Sequence, residues 1–229
     1  VTVRDLARQL PSVWQENVKN QRLASFDDFV TSVRRHAPRR TGSWGGDMEE
    51  EPFWEFQDYV GILGRWAKFV GPERAHLVTV AKSGTGASSL WDRFLSVLDV
   101  DPAPMTIDVP NNNTSLSAAQ AELLRRLNSR LQPDDIEWDR YERVVKGHII
   151  AKVLFAQTGG TPRGLSTEQR AWAADEAEAM IDAVRVAGYP VTGDLGDLAR
   201  DSPFPRRPQE PEPPRRQLRV PRPDRRRQD

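Results

Sequence analysis

The sequence predicts a helix-rich α/β domain over residues 1–200 and a disordered tail over residues 201–229. Three observations carry this reading. Two short β-branched runs, Val1-Thr2-Val3 and His76–Val80 (HLVTV), flank a long stretch whose apolar residues recur at helical spacing, the pattern of a crossover between parallel strands. Several later segments combine helix-capping residues with apolar stripes. Composition then changes abruptly near residue 200, where apolar residues give way to Pro and Arg.

The elements follow in order. Val1-Thr2-Val3 reads as the end of a buried strand, and Asp5 as the cap of the helix after it. Pro11 falls inside that helical pattern and is expected to kink the helix or to end its first segment. Ser25 or Asp27 opens a second helix whose apolar side holds Phe26, Phe29, Val30 and Val33. Residues 38–52 form a loop rich in Gly, Pro and charge. One long helix is expected from Phe53 to Val70, with Phe56, Val60, Leu63, Ala67 and Val70 as its stripe and Gly71-Pro72 as its stop. HLVTV follows as a fully buried strand. The next helix carries Leu90, Trp91, Phe94, Leu95 and Leu98. A helix from Ser117 to Leu131 begins with a Ser117/Gln120 capping box and displays Leu116, Leu123, Leu127 and Leu131. Asp139–Phe155 is helical, with Tyr141, Val144, Val145, His148 and Ile149 on one side. A second capping box, Ser166/Gln169, opens a helix to Ala187, which Gly188 ends in the left-handed conformation.

Composition narrows the function. The chain has 229 residues, 38% of them hydrophobic and 29% charged, and no run approaches the roughly 18 apolar residues of a membrane span. The opening VTVRDLARQL lacks the apolar core of a signal peptide, so a cytoplasmic protein is expected. With no cysteine, disulfides, thiolate metal sites and a cysteine nucleophile are excluded. His36, His76 and His148 lie far apart and in no metal-ligand spacing. The net charge of zero averages two unlike parts, because the tail holds nine Arg against five acidic residues. The tail reads as a solubilising segment or as a weak anion-binding arm, and with Phe204 as its one aromatic it has little for base stacking. No specific nucleic-acid partner is assigned.

Two parallel strands alone do not make a stable doubly wound sheet. The chain also opens on Val within a strand-like run. Further strands N-terminal to residue 1 are therefore expected, and the chain reads as an N-terminally truncated fragment.

The first candidate for chemistry is Arg4 with Ser12. Arg4 lies where a strand ends and a helix begins, the place where open α/β sheets bind ligands, and a guanidinium there grips phosphate bidentately. From spacing alone the pair also reads as a surface arginine and a helical serine.

The segment VTVRDLARQLPSVWQENVKN resembles the 3′-phosphate-binding segment of sulfotransferases, in which a strand ends in Arg and a Ser follows eight residues later. FWEFQDYVGILGRWAKFVGPERAHLVTV, SSLWDRFLSVLDVDP, NTSLSAAQAELLRRLN and AGYPVTGDLGDL resemble, in the same order, segments of a sulfotransferase-like group of actinobacterial proteins, so the resemblance spans residues 1–198. It implies a P-loop-like parallel sheet of the sulfotransferase type. It also implies transfer of a sulfuryl group from 3′-phosphoadenosine-5′-phosphosulfate to a hydroxyl or amine, with Arg4 and Ser12 holding the 3′-phosphate. The acceptor, a small molecule or a glycan, is not specified.

The chain departs from the family in one respect. The family's phosphosulfate loop, of the form Lys-x-Gly-Thr-Thr, precedes the Arg/Ser segment, and nothing in this sequence precedes Arg4 at that distance. The loop from Lys82 to Gly86 (KSGTG) is similar in letters and follows a strand, but it comes after Arg4 rather than before it. It reads as coincidence, as a secondary phosphate contact, or as a relocated sulfate loop.

Glu55 and Asp58, among Trp54, Phe56, Gln57 and Tyr59, are candidate bases for the acceptor proton or, more simply, solvated acids of a helix turn. His148 reads as a core histidine, His76 as structural and His36 as exposed. Asn111–Ser115 reads as a turn and capping region. Trp14, Trp54, Trp66, Trp91 and Trp172 read as core, and Trp44 as an acceptor-site cover or a solvent-facing loop residue. Two other functions compete with sulfuryl transfer: a catalytically dead remnant serving as a helix-rich binding domain, and association with nucleic acid through the tail.

Overall fold

A computed structural model describes residues 1–39, 52–82, 88–105, 115–131, 135–157 and 159–199. Residues 40–51 of the expected 38–52 loop, Trp44 among them, most of the Lys82–Gly86 loop, Asn111–Thr114 and the tail lie outside the described residues. Three short strands, β1 (Thr2–Val3), β2 (Leu77–Thr79) and β3 (Val191–Thr192), form one parallel sheet in the order β1-β2-β3. Val3 pairs with Thr79, and Val78 with Thr192, so all three strands end at the same edge of the domain. The ladder is closed by Val80 N–H donating to Val3 C=O at 2.7 Å and Leu77 N–H to Pro190 C=O at 2.9 Å. The two sequence-predicted strands are thus parallel neighbours. The third partner comes from the C-terminal side, in a two-residue strand too short to show periodicity.

The first crossover holds α1 (Leu6–Lys19), α2 (Phe26–His36), α3 (Phe53–Gln57) and α4 (Tyr59–Val70). Asp5 caps α1 by accepting from Arg8 N–H, and Ser25 caps α2 by accepting from Asp28 N–H. Pro11 does not end α1, which runs on through it to Lys19. The apolar row Leu6, Leu10, Trp14 and Val18 is buried along the whole helix, and that packing outweighs the one backbone hydrogen bond a proline removes. The predicted single helix from 53 to 70 is two helices. Asp58 leaves helical geometry at ψ 77°, and its carboxylate accepts from Gly61 N–H to cap α4. Gly71, at φ 88°, ends α4.

The second crossover holds α5 (Leu90–Val97), α6 (Ala118–Asn128), α7 (Trp138–Tyr141) and α8 (Thr167–Ala187). Between α7 and α8 the chain from Glu142 to Leu154 coils more widely, as a π-helix, and Phe155 N–H donates to Ile150 C=O five residues back. Capping boxes open α5 at Ser89, α6 at Ser117 and α8 at Ser166, and Gly188 ends α8 at φ 68°.

The core joins α1, α2, α3, α6 and α8. Trp14, Phe26, Phe29, Phe53 and Trp54 form a chain of ring contacts with centroids 5.1–6.5 Å apart. Tyr141 Oη donates to Asn128 Oδ1 at 2.7 Å, and Asn128 Nδ2 donates to Val18 C=O at 2.7 Å, so this buried polar pair ties α7 and α6 to α1. Several expected core residues are instead on the surface. Phe56, Trp66, Val70, Leu90, Trp91, Phe94, Leu98, Leu123 and Val144 are all exposed. His148 is exposed too, because i-to-i+5 coiling turns residues away from the face that a 3.6-residue period assigns them. His36 is half-buried, with Nδ1 2.8 Å from Ser32 C=O. Trp172 packs partly buried against the core.

Candidate anion site at the carboxyl end of the sheet

Because the strands are parallel and in register, the residues that follow them meet at one edge: Arg4 after β1, Val80 to Lys82 after β2, and Gly193-Asp194 after β3. This is the edge at which open α/β sheets bind ligands. Arg4 is half-buried, and its Nε has no hydrogen-bond partner among the described residues. Burial pushes its guanidinium below the ordinary arginine value, Arg8 adds to that, and Asp5 opposes it. A buried donor without a partner is costly, so an anion reaching Arg4 gains more than one at a solvated arginine.

Asp5 answers only part of this charge. Its Oδ1 accepts from Arg8 N–H at 3.0 Å, and its Oδ2 lies 3.4 Å from Arg8 Nε. Burial raises the Asp5 carboxyl above the usual carboxylate range, while Arg8, Arg4 and Lys82 pull the other way. Three cations therefore act on one acid here. Arg8 escaped the sequence reading although the signal was present: it lies four residues after Arg4 and four before Ser12, the spacing of neighbours along one helix face.

Ser12 lies on α1 one turn beyond Arg8 and is exposed. No hydrogen bond joins it to Arg4 among the described residues. Gln9, one turn nearer, lines a recess of about 20 Å³ together with Arg4, Gln57, Tyr59 and an apolar floor that includes Leu6 and Met180. That volume holds a single water and no more.

The other half of the edge is a buried polar clasp that sequence reasoning missed. Arg93 Nη1 on α5 donates to Asp197 Oδ2 at 2.7 Å, to Thr79 Oγ1 at 2.6 Å and to Thr79 C=O at 2.8 Å. Thr79 Oγ1 donates to Asp197 Oδ2 at 3.0 Å and accepts from Asp194 N–H at 3.2 Å. Lys82 is held by the same group, its N–H 3.4 Å from Asp197 Oδ1 and its Nζ donating to Ala199 C=O at 3.1 Å. Burial pushes the Asp197 carboxyl up, but the hydrogen bonds from Arg93 and Thr79 outweigh it and hold the group below its ordinary value. The sequence signal was an arginine among apolar residues in LWDRFLS and a second aspartate in GDLGDL.

Of the candidate bases, Asp58 is buried and spent on capping α4, which corrects its reading as a solvated acid. Glu55 is half-buried on α3. Lys82 is the described end of the Lys82–Gly86 loop, and it is tied back to the C-terminal turn. Among the described residues no helix is long and apolar enough to cross a membrane.

No family model matches the chain, and no curated protein or solved structure matches it. The resemblance to sulfotransferases therefore rests on its sequence segments.

Proposed function

We propose that this chain carries the nucleotide arm of a sulfotransferase-type domain. In this reading Arg4, backed by Arg8 and with Ser12 further along α1, holds the 3′-phosphate of 3′-phosphoadenosine-5′-phosphosulfate. The sulfuryl group passes to a hydroxyl or amine acceptor of unspecified class. Arg4 and Ser12 bind and orient the donor and take no part in the bond change. The observation that supports this is the position and state of Arg4: at the carboxyl end of a parallel strand, half-buried, with Nε unpartnered among the described residues.

The test is calorimetric titration of the full chain with 3′,5′-ADP and with 5′-AMP, which differ only in the 3′-phosphate. Tighter binding of 3′,5′-ADP is expected, and Arg4→Ala is expected to cost about 1–3 kcal/mol of that affinity, the range for a charge-assisted bond. Equal affinity for the two nucleotides in the unmutated protein would refute the assignment.

A second reading, a binding domain without transfer activity, has its own support. The recess beside Arg4 is water-sized, Ser12 faces solvent, and the N-terminus of α1 is already capped by Asp5. In that case neither nucleotide gives heat with a folded protein.

A further inference from the structure

One apolar stripe of α5 lies open. At 3.6 residues per turn, Leu90, Trp91, Phe94 and Leu98 fall within a sector of about 100° around the helix axis. Phe94 is 42% and Leu98 53% exposed, and Leu90 and Trp91 are exposed beside them. The helix is fixed to the fold on its other sides, by the buried Leu95 and by the bond from Arg93 to Asp197. Single exposed apolar residues are ordinary on a protein surface, but a stripe that sets Trp91 and Phe94 between two leucines is not.

The polypeptide leaves the described fold beside this helix. Asp197 is bonded to Arg93 of α5 at 2.7 Å, and Ala199 C=O accepts from Lys82 Nζ at 3.1 Å. The chain from residue 200 onward thus starts three residues past a direct bond to α5. Its sequence has the chemistry that an aromatic stripe takes. Pro205, Pro208, Pro211 and Pro214 recur at every third residue, the spacing of one edge of a polyproline II helix, which docks on aromatic surfaces. Arg206-Arg207 and Arg215-Arg216 bracket that row. Residues 200–204 reach about 16 Å at about 3.3 Å each, more than the width of a helix at about 10–12 Å. Successive prolines of the row lie about 9 Å apart and the stripe from Leu90 to Leu98 is about 12 Å long, so one Pro-x-x-Pro step spans it.

The charge at the C-terminal end of the stripe is complementary to the tail. Asp99 and Asp101 are exposed beside Leu98 and make no ion pair among the described residues. Asp101 accepts from Ala103 N–H at 2.9 Å, which leaves its charge unanswered. Asp92 is held by Ser89 in the capping box of α5, and Arg93 is neutralised by Asp197. The tail brings nine Arg against five acidic residues.

We propose that the proline row of residues 205–214 docks back on the α5 stripe of its own chain. Pro208 and Pro211 pack on Trp91 and Phe94, and Arg206 and Arg207 meet Asp99 and Asp101. Because the two partners are joined by a short linker, the local concentration is about millimolar, and individually weak contacts suffice. The exposed Trp66 and Phe69 of α4 suit the tail less, since the charged residues within that helix are Arg65 and Lys68, the sign of the tail's own excess. This inference is independent of the nucleotide reading, since it uses neither Arg4 nor Ser12.

The experiment is nuclear magnetic resonance of the full chain with a nitroxide attached at Gln209→Cys, off the proline row. The label goes to one site because the chain has no cysteine of its own. Broadening of the Trp91 indole N–H and of the α5 amides is expected, fading as salt rises. Phe94→Asp should remove most of it. Pro208→Ser combined with Pro211→Ser should do the same while leaving α5 untouched. Asp99→Asn combined with Asp101→Asn should weaken it and reduce its salt dependence. Asn tolerates the left-handed backbone at residue 99 (φ 54°) and still accepts from Ala103 N–H, so this pair removes charge alone. Val186→Asp, at an exposed apolar position on α8, should change nothing. When isotope-labelled chain without nitroxide is mixed with nitroxide-bearing chain at natural abundance, the α5 signals should stay sharp. A folded chain with no broadening on α5 overturns the proposal, as does broadening indifferent to all three sets of substitutions. Broadening in the mixture overturns it in favour of a second copy, and broadening centred on Trp66 and Phe69 overturns it in favour of α4.

Discussion

Arg93→Met should be among the most damaging single changes in this domain. The substitution keeps the aliphatic stem and removes the guanidinium that bonds Asp197 and both oxygens of Thr79. Removing one partner of a buried ion pair costs about 3–5 kcal/mol, because the other charge is left behind without compensation. Asp197 would keep its bonds from Thr79 Oγ1 and Lys82 N–H, so the low end, about 3 kcal/mol, applies. Domain stabilities run to about 5–15 kcal/mol, so this is a large share of the whole. Urea unfolding followed by tryptophan fluorescence should show a midpoint lower by about 1 M or more at unchanged slope. Asp197→Leu should do similar damage, and the double variant should lose less than the two single losses added together. A loss under about 1 kcal/mol for Arg93→Met, or strict additivity in the double variant, would refute the clasp. Its pH dependence follows from the lowered Asp197 carboxyl. The stabilisation is present above the unfolded carboxylate value of about 3.9 and is lost as pH falls through the lower folded value. Wild type should therefore lose stability more steeply in acid than Asp197→Asn.

Two further substitutions test the same architecture. Gly193→Ala places a Cβ against Thr79 Oγ1 and the Arg93 guanidinium at a backbone φ of +106°, so it should lower the melting temperature through about 1–3 kcal/mol of strain as well as overlap. Tyr141→Phe strands the buried Asn128 carbonyl oxygen and should cost about 1–3 kcal/mol in urea unfolding. Burial pushes the Tyr141 hydroxyl up to about 12, against its hydrogen bonds with the Asn128 side chain and the Gln21 backbone, so its contribution is present below the unfolded value and fades as pH rises. An alkaline titration should show wild type losing stability between about pH 10 and 12, and Tyr141→Phe should lack that component.

The caps were legible because a cap is a local contract. Ser117 with Gln120, Ser166 with Gln169, Asp5 and Gly188 each satisfy backbone groups within a few residues, and the structure places all of them as read. The candidate site was half legible. Arg4 could be placed because a strand end followed by a helix start is visible in letters. Arg8 was legible in the same way, four residues after Arg4, but its contact with Asp5 came only from the structure. The clasp joins Thr79, Arg93 and Asp197 across 118 residues, and spacing along a chain carries no record of such a meeting.

Periodicity showed which residues share a helix face but not which face is inward. On α5 it grouped Leu90, Trp91, Phe94 and Leu98, which the fold leaves in solvent, while on α2 and around Leu63 of α4 the same pattern marked the core. Asp58 broke a helix that the apolar pattern ran straight through, because a buried carboxylate capping a new helix start outweighs propensity. By itself, then, the sequence determined the helices with strong caps, the parallel relation of β1 and β2, and an arginine at a strand end. The third strand, the buried clasp and the exposure of the α5 stripe were decided by tertiary structure alone. Burial and charge pairing depend on distances through space, and local sequence constrains only distances along the chain.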